Sequence, residues 1–123
     1  MKYAPAGSNV PDLEMTQRAP MHVPVEISRG DGRTRWFRLT THVSADALLL
    51  AHPIPEEVAG PLAIAFHLPG DAVPVRCGAR AAEAVVGEGE EERAERRAVI
   101  FTDIEEEARA RVTTYVSERL GLS

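Results

Sequence analysis

The feature that most constrains the fold is a series of short segments between residues 23 and 102 in which apolar side chains recur at every second position. This period is typical of half-buried strands. Glycine and proline punctuate the segments, most clearly at Leu68-Pro-Gly-Asp71. Six short strands joined by turns favour a small closed barrel, because closure removes exposed edges. The pattern predicts strands over 23–28, 35–43, 47–52, 62–66, 73–86 and 98–102.

A helical pattern follows the last strand. Apolar residues from Ile104 to Leu120 recur at helical spacing and form one stripe. Asp103 and Glu106 have the spacing of a capping box, and Gly121 is a typical helix stop. We therefore predict a mainly β fold, a six-stranded antiparallel β-barrel with a C-terminal α-helix. The stripe is expected to pack on the barrel, and a second use as a partner-binding face stays open.

Length and composition narrow the class of protein further. The chain has 123 residues, which fits one domain, with a net charge of −5 that argues against general nucleic-acid binding. Cys77 has no partner for an internal disulfide, which fits a reducing cytosol. No signal peptide and no apolar stretch of bilayer length is apparent. We expect a cytoplasmic protein without membrane insertion, with a flexible tail at 1–17 and one domain at 18–123.

Charge is unevenly distributed along the chain. Residues 18–38 contain five arginines and two acidic residues, a net charge of +3. Residues 83–107 contain ten acidic residues and three arginines, a net charge of −7. This contrast indicates either regions that attract and repel anions respectively, or an ordinary solvated surface.

Two stretches contain the candidate ligand site. Arg18-Ala-Pro-Met-His22 precedes the first alternating strand, and Thr40–Leu50 reads as a strand, a polar turn and an apolar strand. Together they resemble the site of a PilZ domain, the bacterial receptor module for cyclic di-GMP. That family places an Arg-x-x-x-Arg loop beside an Asp/Asn-x-Ser-x-x-Gly turn. The resemblance covers 18–120 and implies a PilZ-like barrel.

The match to the PilZ motif is incomplete. Arg18 and Ser44 stand where the family has its first arginine and its serine, whereas His22, His42 and Ala47 replace the second arginine, the Asp/Asn and the glycine. A neutral imidazole cannot make a bidentate contact with a phosphate, and it cannot offer two acceptors to the N–H groups of a guanine edge. Each lost charge-assisted contact costs about 1.5–3 kcal/mol. The resemblance therefore implies a vestigial site in which cyclic di-GMP binding is weak or lost, and we expect no other cofactor.

Family members with degraded motifs are similar in working through protein contacts, often in motility or type IV pilus systems. Our first hypothesis is a regulator that docks on such a protein partner, with Trp36 between Arg35 and Arg38 as the interface anchor. The acidic stretch at 88–95 is a further contact candidate. Alternatively, Trp36 is covered by the tail or the helix. The second hypothesis is a cyclic di-GMP receptor with an altered site.

Enzymatic readings have less support. His42, Ser44 and Asp46 include the residue types of a nucleophilic triad, but same-face neighbours on a strand lie about 6.5–7 Å apart. A triad requires contacts of about 2.6–3.2 Å, so only a bend at the turn would allow one. The four histidines lack metal-ligand spacing, and no glycine-rich phosphate loop opens a helix. We expect no catalytic residue and no metal site.

Overall fold

The computed structural model describes residues 17–30, 32–87 and 89–121. The predicted tail at 1–17 lies outside the described residues, apart from Gln17. The strands and the helix follow one another in this order: β1 Arg18–Pro20, β2 Pro24–Arg29, β3 Arg35–Ser44, β4 Ala47–Leu50, β5 Leu62–Phe66, β6 Val75–Val86, β7 Arg93–Asp103 and α1 Glu106–Leu120, with a 3-10 turn at Gly89–Glu91.

The strands form a closed antiparallel barrel. The order β3-β2-β5-β6-β7-β4 returns to β3 because β4 pairs with both β7 and β3. The short strand β1 adds to β3 beside β2, so the barrel has six strands plus one. The predicted barrel and C-terminal helix are confirmed. None of the described residues form a helix with the length and apolar character that crossing a bilayer requires.

The core contains the inward side chains of the barrel strands and one face of α1. Val99 and Phe101 point inward, and the Phe101 ring stacks on Phe66 with centroids 6.3 Å apart. From α1, Val112 and Val116 are buried in the same cluster. The apolar stripe of the helix therefore packs against the barrel, near β1 and β3.

A buried hydroxyl on β3 joins this strand to the bend between β1 and β2. Thr40 is fully buried, and its Oγ1 accepts a hydrogen bond from the N–H of Val23 at 2.9 Å. The same oxygen lies 2.9 Å from the carbonyl oxygens of Met21 and Val23, to one of which it donates at a time. The Thr40 hydroxyl thus satisfies the backbone of a segment that leaves the regular sheet.

A register shift follows Thr40 on β3. The pairing with β4 is irregular between Thr40 and His42, which is the signature of a bulge. Phe37 is 63 % exposed whereas Val43 is 1 % exposed, although both have odd numbers. These two side chains therefore point to opposite sides of the sheet, because the bulge shifts the alternation along the strand by one residue.

The charged residues 87–97, which lie between two of the predicted strands, form a strand from Arg93 onward. β7 begins at Arg93, which pairs with Val86 of β6. Two of its three arginines donate to carbonyl oxygens of the 51–58 loop: Arg96 to those of Pro55 and Val58, both at 2.5 Å, and Arg97 to that of Ala51 at 2.6 Å. β4 ends at Leu50 rather than at residue 52, and β6 begins at Val75 rather than at the exposed Val73.

Two turns depend on glycine in the left-handed region. Gly87, with φ +88°, ends β6, and a Cβ there would lie 2.6 Å from the carbonyl oxygen of Glu91. Gly121, with φ 69°, ends α1 as predicted. The predicted capping by Asp103 is wrong, because Asp103 pairs with Gly78 at the end of β7. Glu105 stands at the N-cap position and makes no side-chain capping bond.

Candidate functional site

The added strand β1 places the first motif stretch beside the second. In the β1–β3 ladder, Arg18 lies opposite Ser44 and Pro20 lies opposite His42. His22 lies two residues after the end of β1 and is exposed, as is Arg18. The two stretches singled out in the sequence therefore meet at one end of the barrel, as the PilZ resemblance implies.

The hydroxyl of Ser44 is engaged in its own turn. Ser44 is 4 % exposed, and its Oγ accepts hydrogen bonds from the N–H groups of Asp46 at 3.3 Å and Ala47 at 3.1 Å. It also lies 3.4 Å from the carbonyl oxygen of Ala47, to which it donates. Such local bonding is a common role of serine in turns. The hydroxyl stabilises the turn, and its described hydrogen bonds do not involve His42.

The helix braces this turn from outside. Nη1 of Arg109 donates to the carbonyl oxygen of Ala45 and to Oδ1 of Asp46, both at 2.9 Å. Asp46, which would be the acid of a triad, is therefore paired with the helix. Because the ion pair is largely exposed to solvent, its stabilising contribution is small. The arrangement positions the turn rather than a nucleophile.

Ala47 begins β4 and is 3 % exposed. No described residue other than glycine has a positive φ, so Ala47 adopts an ordinary backbone conformation. Ala47 is therefore free of backbone strain, and it differs from the glycine of the PilZ motif by the bulk of its methyl group.

His42 is half-buried and lies opposite Pro20 of β1. Its Nδ1 is 3.0 Å from Oγ1 of Thr41. Burial lowers the pKa of His42 below 6.5, and the positive charges of Arg18 and His22 lower it further. His42 is therefore neutral at pH 7 and offers one acceptor nitrogen at most. Of the five predicted site residues, only Arg18 carries a permanent charge.

The predicted protein-contact residues do not form one surface. Arg35 is exposed, with Nη1 3.9 Å from Glu26. Trp36 is half-buried and packs against the core. Arg38 turns its side chain toward the same side as Trp36, where its Nε is buried without a hydrogen-bond partner. Nη1 of Arg38 donates to the carbonyl oxygen of Phe37 at 3.1 Å.

The sequence reasoning missed the side chains that β3 exposes instead. Phe37 and Leu39 are 63 % and 47 % exposed. The alternation along β3 already indicated that Phe37 and Leu39 lie on the same face as Arg35 and on the opposite face from Trp36. It did not indicate which of the two faces points to solvent. The described residues contain no group of three or more His, Cys, Asp or Glu side chains that could hold a metal ion.

This geometry defines a class: a closed six-stranded antiparallel barrel with one added strand, a C-terminal helix and a loop beside a serine turn. No protein-family model matches the chain, and no curated protein matches it. Solved structures do. The chain has the fold of a PilZ domain, as similarity to two solved PilZ domains and to a third protein shows.

The inhibitor of motility MotI/DgrA from Bacillus subtilis superposes with a TM-score of 0.64 at 14 % identity, over 86 % of this chain and 50 % of MotI/DgrA. The PilZ domain of YcgR from Escherichia coli, solved with c-di-GMP, gives a TM-score of 0.57 at 14 % identity, over 87 % of this chain and 91 % of that domain. The PilZ domain of CeSA from a cellulose synthesizing bacterium gives 0.51 at 19 % identity, over 85 % and 96 %. The chain thus spans half the length of MotI/DgrA, and these similarities concern the fold.

Proposed function

We propose that this chain is a PilZ-fold regulator that acts in the cytoplasm through contact with a protein partner, in bacterial motility or type IV pilus-linked signalling. It is not an enzyme, and its cyclic di-GMP binding is weak or lost. The observation that supports this proposal best is the state of the motif residues. Arg18 is the only permanent cation among them, and the hydroxyl of Ser44 bonds to its own turn.

Nucleotide recognition is weakened in three ways. Cyclic di-GMP has two phosphates, and at His22 a single ring replaces the guanidinium that would fork onto one of them. His42, with its lowered pKa, supplies neither a carboxylate nor a second acceptor. The methyl of Ala47 occupies space that a glycine leaves open. A loss of about 1.5–3 kcal/mol for one charge-assisted contact corresponds to a tenfold to hundredfold loss of affinity.

The motility assignment rests on the structural neighbours and on the resemblance. MotI/DgrA is described as an inhibitor of motility, and this chain shares its fold. PilZ-like proteins with degraded motifs resemble this chain in lacking the full ligand set while retaining the barrel. A barrel without its ligand chemistry retains its surface, and a surface can dock on a protein. The partner is proposed to belong to a motility or signalling system.

Titration calorimetry with cyclic di-GMP tests the nucleotide part of the proposal. Wild type is expected to give no saturable heat at micromolar nucleotide. The matched variant His22→Arg/His42→Asn/Ala47→Gly restores the three family residue types and is expected to bind. Saturable micromolar heat in wild type that disappears in Arg18→Ala would contradict the proposal.

Genetic complementation tests the regulatory part. Deletion of the gene in the source bacterium is expected to change swimming or twitching. Both wild type and Arg18→Ala should restore the original behaviour, because regulation does not use the nucleotide. Failure of Arg18→Ala to complement, with normal amounts of folded protein, would identify the chain as a nucleotide-dependent receptor.

The alternative function is that of a cyclic di-GMP receptor with an altered site. It is favoured by the proximity of Arg18, His22 and His42, since the first two act electrostatically on the third. Protonation of His42 would add a positive charge beside that of Arg18 and increase affinity for phosphate. Calorimetry repeated at pH 5.5 and 7.5 distinguishes this function, which requires much tighter binding at the lower pH.

A further inference from the structure

Two large apolar side chains lie next to each other on the outside of the barrel. Phe37 and Leu39 point outward from β3 and are 63 % and 47 % exposed. Residues two apart on a strand stand about 6.5–7 Å from each other on one face. Among the described residues, the other large apolar side chains with high exposure lie on separate elements, at Val73, Val85 and Leu120.

The apolar surface continues onto the next strands. Pro24 of β2 lies opposite Leu39 and is exposed. Glu26 lies opposite Phe37, and on its other side it pairs with Ala65 of β5, which is half-buried. We name the surface formed by Pro24, Phe37, Leu39 and Ala65 the β2–β3 face.

Arginines dominate the rim of the β2–β3 face. Arg35, two residues before Phe37, has a side chain that is 61 % exposed. Arg76 of β6 lies opposite Ala65 and is exposed. The carboxylate on this surface, that of Glu26, is 32 % exposed and already faces Arg35 at 3.9 Å. In a chain with a net charge of −5, this rim is locally positive.

We infer that the β2–β3 face is the docking surface for the protein partner, and that the partner presents an acidic segment with large apolar side chains. The inference rests on the proposed function, because it assigns the surface through which the regulator acts. Phe37 and Leu39 are the anchors, and Arg35 and Arg76 attract the carboxylates around them. Aromatic and arginine side chains of this kind dominate measured binding energies at interfaces.

A random-peptide phage library, screened against the immobilised full chain, tests this assignment without knowledge of the partner. Selected peptides are expected to combine a net negative charge with at least two large apolar residues. Binding of a synthetic selected peptide, followed by fluorescence anisotropy, should weaken at least about thirtyfold in Phe37→Asp. Arg35→Glu should weaken it by a smaller factor, and added salt should act in the same direction.

Val73→Asp is the matched control. Val73 is 59 % exposed and lies before β6, so the substitution likewise replaces an exposed apolar side chain by a carboxylate, away from the β2–β3 face. It should leave peptide affinity within about twofold of wild type. Denaturant unfolding of both variants excludes loss of fold as the cause.

Three results would overturn the inference. They are selection of neutral or basic peptides, no selection at all, and equal losses in Phe37→Asp and Val73→Asp. Sedimentation that shows a dimer abolished by Phe37→Asp would identify a second copy as the occupant and would also overturn it. These outcomes are separate from a failure of the proposed function, which appears as tight nucleotide binding or as failed complementation by Arg18→Ala.

Discussion

Thr40→Val should destabilise the barrel although it changes the shape of the side chain very little. The substitution removes a fully buried hydroxyl that accepts from Val23 and donates to a carbonyl oxygen of the β1–β2 bend. The N–H of Val23 then lacks its acceptor, and leaving one such group unsatisfied costs about 1–3 kcal/mol. The carbonyl oxygen of Val23 still accepts a hydrogen bond from the N–H of Thr40, so loss of the hydroxyl as a donor to this oxygen adds little to the cost.

We therefore expect the free energy of unfolding to fall by about 2 kcal/mol. This is a large fraction of the roughly 5–15 kcal/mol of a typical domain. Urea denaturation followed by circular dichroism measures the change, and the denaturant slope should stay constant. Thr113→Val is the control, because Thr113 is an exposed position of α1 and should change stability by less than about 0.5 kcal/mol. Equal effects of the two substitutions would refute the assignment of Thr40.

Three further predictions concern the hairpin, the site histidine and the cysteine. Gly87→Ala should destabilise by at least about 1 kcal/mol more than Gly32→Ala, because both have a positive φ but only the first adds a Cβ against a backbone carbonyl. Urea unfolding measures the difference, and equal losses would contradict the clash. Because the pKa of His42 is lowered from 6.5 in the folded chain, the unfolded chain binds more protons just below pH 6.5. Stability should fall as pH drops from 6.5 to the lower folded-state pKa. An NMR titration midpoint at or above 6.5 would exclude this. Burial, with the charge of Asp103 as a lesser cause, raises the pKa of Cys77 to about 11, so alkylation by iodoacetamide at pH 8 should be at least about a hundredfold slower in the folded chain than in urea.

The sequence predicted the barrel because its signals were local. Alternation identified β2, β3 and β5, and helical spacing identified α1, whose end at Gly121 follows from one left-handed residue. The predicted strand at 98–102 is shorter than β7, because charged residues occupy both faces of β7 between Arg93 and Arg97 and hide the alternation there. Their pairing and their contacts with the 51–58 loop are tertiary, and no local period records them.

The proximity of the two motif stretches was predictable, and the hydrogen bonding of the serine turn was not. The resemblance implied that Arg18 lies beside Ser44, and the two residues pair in the β1–β3 ladder. That the serine hydroxyl bonds to its own turn depends on the conformation of residues 44–47. The facing of β3 depends on the bulge after Thr40, which arises from pairing with β4. Residue type alone therefore favoured Trp36 as an anchor, whereas in the folded chain Phe37 is the more exposed aromatic side chain of β3.

The hydrogen bonds between β7 and the 51–58 loop have a consequence for local unfolding. β5 pairs with β6 only as far as Ala79, so the distal part of the β6–β7 hairpin is a two-stranded ribbon, a form that is marginal in water by itself. The guanidinium of Arg96 joins it to the loop, and the N–H of Ile54 returns a bond to Arg96. The amide hydrogens of the 51–58 loop and of this ribbon should consequently exchange as one cooperative unit. Their protection should be lower than that of the amides in the rest of the barrel.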